Sequence, residues 1–307
     1  MKKFILKVLL FIACVVVMDF AFGLFFSYLR AHAKGGSTAN CEYIANKATD
    51  DIIILGSSRA THHYVPQIIE DSLGVSCYNC GEEGNGVILA YGRLKMLANR
   101  YKPKLVLYEL TPGYDYGFED PNSKYLGYLR PYYKKEGIKQ IFEDFDDNLS
   151  CLKMRSKMYQ NTSRLLPNIV DIIFTRNNNK GFEPLEGKMK FIPEMTRRNG
   201  LTNIDKSKLS YLEKIIDLCV GENIPLVFII SPILNYNSNQ LEYEPALRLS
   251  EENDIRVINN LKAEDIYLNP ELFQDVNHLN EDGAKIYSQF IVSQIKNYYS
   301  FNVPMAL

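Results

Sequence analysis

Five short apolar runs, separated by helix-like stretches, constrain this chain more than any other feature. Ile52-Ile53-Ile54-Leu55 follows Asp51, ends at Gly56 and has no polar alternation, so it reads as a strand buried on both faces. A helix starts at Pro66, whose fixed φ suits a first helical residue, and stops before Gly74. Val75 to Tyr78 is the second strand, Val87 to Arg100 an amphipathic helix closed off before Pro103, and Lys104 to Leu110 the third strand. From about 114 to 203 the pattern breaks into sequence rich in Tyr, Asn and charge. Helix-like stretches at Ile138–Phe145 and Leu165–Phe174 make this a helical insertion. Alternation resumes with a helix over Ser207–Glu222, a strand over Pro225–Ile230, a helix over Glu244–Asn253, a strand over Ile255–Ile258 and a closing helix over Glu281–Tyr298. This order predicts an α/β fold: a three-layer α/β/α sandwich with about five parallel strands. Such sheets bind ligands beyond the carboxyl ends of their strands.

Residues 8 to 29 form a second constraint, being apolar apart from Asp19 and Ser27. These 22 residues exceed the roughly 20 that cross a bilayer as a helix, and also the apolar core of a cleaved signal peptide. Ala31-His32-Ala33 keeps a cleavage reading open, whereas Phe11-Ile12-Ala13-Cys14 makes a poor lipid-attachment box. Lys2, Lys3 and Lys7 outweigh Arg30 and Lys34, which places the body outside the cytoplasm, in a periplasm or at a cell surface. Asp19 sits near the middle of the span, where a carboxyl is costly, so it is expected to face a partner helix, from another copy or from a multi-span acyltransferase, rather than lipid. The expected organisation is a cytoplasmic stub and anchor over 1–35, a polar linker over 36–50, and one body over 51–307 interrupted at about 114–203.

The remaining numbers exclude rather than assign. A formal net charge of −1 leaves no global field for nucleic acid, and no basic face is visible. Of six cysteines, Cys14 lies in the span, and Cys41, Cys77, Cys80, Cys151 and Cys219 match no dense disulfide framework. Cys77-Tyr78-Asn79-Cys80 is formally a CxxC, but no second CxxC or Cys/His cluster completes a metal site. Two buried thiols on a short strand are the simpler reading. No metal or organic cofactor is implied.

Two segments carry chemistry. Gly56-Ser57-Ser58-Arg59 stands where the first strand ends, a corner at which a serine is exposed and backbone N–H groups can hold an oxyanion. Asp275-Val276-Asn277-His278 stands just before the last helix. A serine needs a base oriented by a carboxylate. The chain has four histidines; His32 abuts the anchor, while His62 and His63 follow the serine too closely to be obvious partners. His278 is left as the base, with Asp275 one turn behind it. Arg59 is a candidate for an anionic substrate group, with a structural ion pair as the equal alternative. The tyrosines between Tyr114 and Tyr159 are open to sugar stacking or to plain packing.

Taken together, these segments resemble the SGNH (GDSL-like) hydrolase superfamily from Asp51 to about Tyr298. Gly56-Ser57-Ser58 stands where that family has Gly-Asp-Ser, which makes Ser58 the nucleophile. Asn79-Cys80-Gly81-Glu82-Glu83-Gly84 is similar to its second block, whose glycine donates an oxyanion N–H; Gly84 matches best and Gly81 second. Asp275 to Asn280 with Gly283-Ala284 is similar to its final block. The third block departs: Glu109-Leu110-Thr111-Pro112-Gly113-Tyr114-Asp115 lacks the usual Asn, and Asn79 or Asn85 is left to supply the amide. With its span and insertion the chain resembles the branch that acylates envelope polymers, several of whose members work beside a multi-span membrane acyltransferase.

The resemblance implies serine-dependent acyl transfer or ester hydrolysis. Ser58, Asp275 and His278 would be the triad, and the Ser58 and Gly84 N–H groups the oxyanion donors. An acylated cell-envelope glycan or small ester would be the substrate. The rival of another class is a catalytically degenerate scaffold that binds glycan or a membrane partner.

Overall fold

The computed structural model describes residues 1–117, 123–145, 152–173, 179–192, 203–235, 241–263 and 265–302. The first helices and strands are α1 (Lys2–Ala31), α2 (Gly36–Asn46), β1 (Ile52–Gly56), α3 (Ser58–His63), α4 (Pro66–Leu73), β2 (Cys77–Asn79), α5 (Val87–Ala98) and β3 (Leu105–Glu109). A π-helical turn over Gly113–Gly117 follows, then α6 (Ser123–Leu129), α7 (Ile138–Phe145), α8 (Lys157–Asn161) and α9 (Leu165–Ile173). The chain closes with α10 (Lys206–Gly221), β4 (Leu226–Ile230), α11 (Glu244–Glu252), β5 (Arg256–Asn259) and α12 (Glu281–Asn302). Two compact units result, Met1–Asn46 with Pro121–Asn177 and Lys47–Asp120 with Asn178–Leu307.

The second unit is the expected parallel sheet, in the order β2-β1-β3-β4-β5. Every residue of β1, β3 and β4 is buried, which is why these strands read as unbroken apolar runs. On one face Ile52, Ile54, Leu107 and Ile229 pack with Tyr64 and Ile69 beside α3 and α4 and with Tyr287 and Ile291 of α12. Their neighbours Ile53, Leu55, Tyr108 and Phe228 point the other way, as strand period demands, and are also buried. Helix α5, packed on α10, covers that side. β2 and β5 are the edge strands, and Arg256 and Asn259 of β5 are exposed, which blunts pairing at that edge. Strand order reverses between β1 and β3, so the ends of these two strands flank the switch-point crevice.

The first unit gathers α1, α2 and α6–α9. Lys2 to Met18 is exposed all round, and one side of α1 becomes covered only from Asp19 onward. There Asp19 accepts hydrogen bonds from the Ser156 hydroxyl and from the Lys157 and Met158 N–H groups at 2.8 and 3.2 Å. Where a helix of another copy or of a multi-span acyltransferase is expected, Asp19 meets the start of α8 of the same chain. One turn on, a Cβ at Gly23 would lie 2.4 Å from Lys157 Cβ, so only glycine admits this approach. Arg30 closes the contact on Glu42 and Asn161.

The stretch 36–50, expected as a linker, contains helix α2. Its composition is polar, but Cys41, Ile44 and Ala45 fall on one buried face. Cys77 and Cys80 are buried free thiols, and burial pushes Cys77 well above its ordinary range. Cys151 lies outside the described residues.

Candidate active site

β1 ends at Gly56 with φ +141°, and a Cβ there would sit 2.8 Å from the Glu109 carbonyl oxygen. Glycine therefore lets the chain turn sharply from β1 into α3 while β3 stays alongside. The turn places Ser58 at the first position of α3, where its N–H precedes the helical hydrogen-bonding pattern. Ser57 is fully buried with its hydroxyl unpartnered among the described residues, whereas Ser58 lines an open cavity of about 380 Å³.

His278 reaches the same cavity from the loop before α12. Its Nε2 lies 2.8 Å from Ser58 Oγ, and its Nδ1 lies 2.9 Å from both carboxylate oxygens of Asp275. The carboxylate only accepts, so Nδ1 carries the hydrogen and Nε2 is the acceptor facing the Ser58 hydroxyl. Asp275 also takes the N–H groups of Asn277 at 2.8 Å and His278 at 3.0 Å. Half-burial works against its charge, yet the His278 ring and these N–H groups outweigh it and hold the carboxyl below its ordinary value.

A buried network beneath the loop joins several elements. Leu279 N–H donates to His63 Nε2 at 3.0 Å, so His63 Nδ1 carries a hydrogen and donates to Ser231 Oγ at 2.8 Å. The Ser231 hydroxyl donates to Glu109 Oε1 at 2.8 Å, and Glu109 also accepts from Tyr64 and the Ser231 N–H. Burial, then the charges of His278 and Arg59, push His63 well below its ordinary range and keep the ring neutral. His62 donates from Nδ1 to the Glu183 carbonyl at 2.7 Å and stands edge-on to His278, with ring centroids 5.8 Å apart.

Arg59 also lines the cavity. Its guanidinium pairs with Glu109 at 3.3 Å and donates to the Leu110 carbonyl and to the Tyr243 hydroxyl at 3.2 Å. Burial opposes its charge, but the Tyr243 and Glu109 oxygens raise its pKa above the usual value. The ion pair, not a free anion-binding cation, is the reading this geometry supports.

Of the residues expected to hold the oxyanion, several are placed or engaged elsewhere. Gly84 is not among the residues that line the Ser58 cavity. The Gly81 N–H donates to Asn79 Oδ1 at 2.9 Å, and the Asn79 amide donates to the Ala60 and Tyr64 carbonyls. Asn79 is therefore a brace between β2 and α3. Asn85 donates to the Glu83 carbonyl and also lies outside the lining. The segment that does line the cavity is Thr111 to Tyr114, at the β3 end of the switch point. The Thr111 hydroxyl is buried without a partner among the described residues. Its N–H donates to Asp115 at 2.7 Å, and Asp115 also accepts from Tyr108 at 2.7 Å. Burial pushes Asp115 up to about 7 against those donors. Thr111 carries a hydroxyl where the resemblance expects an amide, and its place two residues past the end of β3 is what points to it in the sequence.

No family model matches the chain, and no curated protein does. Among solved structures it is similar to one described as a lipolytic protein of the G-D-S-L family from Desulfitobacterium hafniense DCB-2, at 11% identity and a TM-score of 0.38. The match covers 79% of this chain and 98% of that one.

Proposed function

We propose that the protein is a membrane-anchored, serine-dependent esterase or acyltransferase. The observation that carries this is the unbroken line Ser58 Oγ, His278, Asp275, with 2.8 and 2.9 Å steps, opening on a cavity at the switch point of the sheet. In this reading His278 Nε2 takes the Ser58 proton as Oγ attacks the acyl carbon. It then returns that proton to the departing alkoxide, leaving an acyl-serine. An acceptor hydroxyl or water, deprotonated by the same Nε2, completes the cycle and restores the serine. The Ser58 N–H holds the oxyanion, and the Thr111 hydroxyl assists from the third-block position where the family resemblance requires an Asn. Gly84 remains a candidate donor on resemblance alone.

The cavity is near the small end for ligand sites and suits a short acyl chain with one face of its alcohol. The resemblance to the SGNH superfamily and its envelope-acylating branch supports an acylated glycan as substrate, outside the cytoplasm. Anchoring is supported by α1, which is long and apolar enough to cross a membrane. Its Asp19, Gly23 and Arg30 are built into the packing of the first unit, which favours retention of α1 over cleavage after Ala33.

Labelling with a fluorophosphonate tests the reading, because the reagent needs an activated serine. Labelling of the native chain, abolished in Ser58→Ala, is expected. A native chain that stays unlabelled would leave the scaffold reading in place. Transfer is separated from hydrolysis by scoring free acid and acylated glycan with and without acceptor.

A further inference from the structure

One buried hydroxyl of the Ser58 cavity has no role in the steps above. Tyr243 closes the short 3₁₀ turn Leu241–Tyr243 ahead of α11 and lines that cavity with only 1% of its surface exposed. Its oxygen accepts from Arg59 Nη2 at 3.2 Å, and among the described residues its own hydrogen has no acceptor. Burial, against the pull of the Arg59 charge, pushes the phenol up to about 12, so it keeps that hydrogen at any working pH. A buried O–H without an acceptor is costly, and in a reactive cavity the substrate is what can supply one.

Arg59 sets where this hydroxyl is held. The nitrogen that bonds Tyr243 also donates to the Leu110 carbonyl, part of the peptide group that leads into Thr111. The ion pair with Glu109 fixes the guanidinium, and Arg59 itself follows Ser58 at the start of α3. One side chain thus ties together the turn before α11, the segment after β3 and the serine, all of which line the same cavity. A phenol whose oxygen already accepts from a cation is a stronger donor through its hydrogen. As Ser58 Oγ bonds to the acyl carbon, the carbonyl electron pair moves onto the carbonyl oxygen. It returns when the alkoxide leaves with the proton from His278. We infer that the Tyr243 hydroxyl donates to that oxygen while it is charged, alongside the Ser58 N–H and the Thr111 hydroxyl. Tyr243 shares its hydrogen without giving it up. The inference rests on the serine reading of Ser58 and makes Tyr243 a catalytic residue rather than a wall of the cavity.

The test pairs kinetics of the full chain on an activated acetate ester with binding of trifluoroacetone, which adds to an activated serine and leaves a stable tetrahedral oxyanion. Tyr243→Phe keeps the ring and removes the donor. It should lower kcat about 10²-fold with little change in KM, and weaken trifluoroacetone by the same factor. Tyr116→Phe removes a different hydrogen bond to the same turn, made to the Glu242 carbonyl at 2.9 Å. It should melt lower yet keep kcat and trifluoroacetone binding, which separates a lost donor from a loosened turn. If Tyr243→Phe does not fold, fluorotyrosine in place of Tyr243 keeps the packing and strengthens the donor; it should tighten trifluoroacetone, and unchanged or weaker binding would overturn the inference. So would a Tyr243→Phe variant that loses kcat but binds trifluoroacetone as the native chain does, or one that Tyr116→Phe matches in both. A Ser58 that takes no fluorophosphonate would sink the serine reading and this inference together. A labelled Ser58 with full activity in Tyr243→Phe would sink this inference alone.

Discussion

At the residue scale the proposal is sharpest where two neighbours differ only in direction. Ser57 points into the fold and Ser58 into the cavity. Ser58→Ala and His278→Ala are expected to lower turnover of an activated acetate ester by roughly four orders of magnitude or more, while Ser57→Ala retains most of it. Thr111 gives a finer test. If its hydroxyl holds the oxyanion, Thr111→Val should cost about 10²- to 10³-fold in kcat, and Thr111→Ser should recover most of that; equal losses in both would assign the residue to packing. Asp115 makes a prediction about stability instead. Its folded carboxyl titrates at about 7, above its ordinary 3.8, so between these values the folded state holds a proton that the unfolded state has released. Stability from this group is intact below about pH 4 and declines as pH rises toward 7. Denaturant midpoints at pH 4.5 and 7.5 should therefore differ less in Asp115→Asn than in the native chain.

At the scale of elements, the ends of β3, β4 and α3 meet in one polar knot under the His278 loop. Glu109 closes β3, Ser231 follows β4, and His63 ends α3 and accepts the N–H of Leu279, the residue after His278. A buried imidazole that loses one partner costs about 1–3 kcal/mol. Ser231→Ala should thus destabilise the protein and lower kcat with little change in KM, because it loosens the loop and not the substrate cavity. His63→Ala should do the same, and His63→Gln, whose Oε1 can take the Leu279 N–H, should recover part of the activity. A KM effect as large as the kcat effect would refute this. The same knot shows what was legible beforehand. Ile52–Leu55 and Leu226–Ile230 announced themselves because burial on both faces demands apolar runs. Asp275-x-x-His278 did so because one turn links acid to base. Closeness to Ser58 in sequence argues against His63 as its partner, and a six-residue helix turns it away from Ser58 and under the loop. Helix α2 stayed hidden because its buried face is narrow and its other positions are polar.

At the scale of the whole molecule, the chain contributes its first 46 residues and a later excursion to one unit, and the sheet with its serine to another. Each unit can then lose stability without the other, as sub-global unfolding commonly does. α1 is packing material for the first unit: Asp19 accepts from the start of α8, Gly23 lies against Lys157, and Arg30 holds Glu42. A chain shortened to begin at Lys34 loses all three contacts and leaves the Lys157 and Met158 N–H groups without their acceptor. The segment over 123–173 should then exchange its amides faster and be cut sooner by protease than in the full chain. The Ser58–His278–Asp275 line lies wholly in the other unit, so fluorophosphonate labelling of Ser58 should persist in the shortened chain. Gly23→Leu in the full chain separates packing from anchoring, because it keeps the apolar length needed to cross a bilayer yet drives a side chain into Lys157. It should stay in the membrane after carbonate washing and still show the faster exchange over 123–173. Unchanged exchange in both variants would mean that the first unit holds without α1, and that the apolar helix serves as an anchor alone.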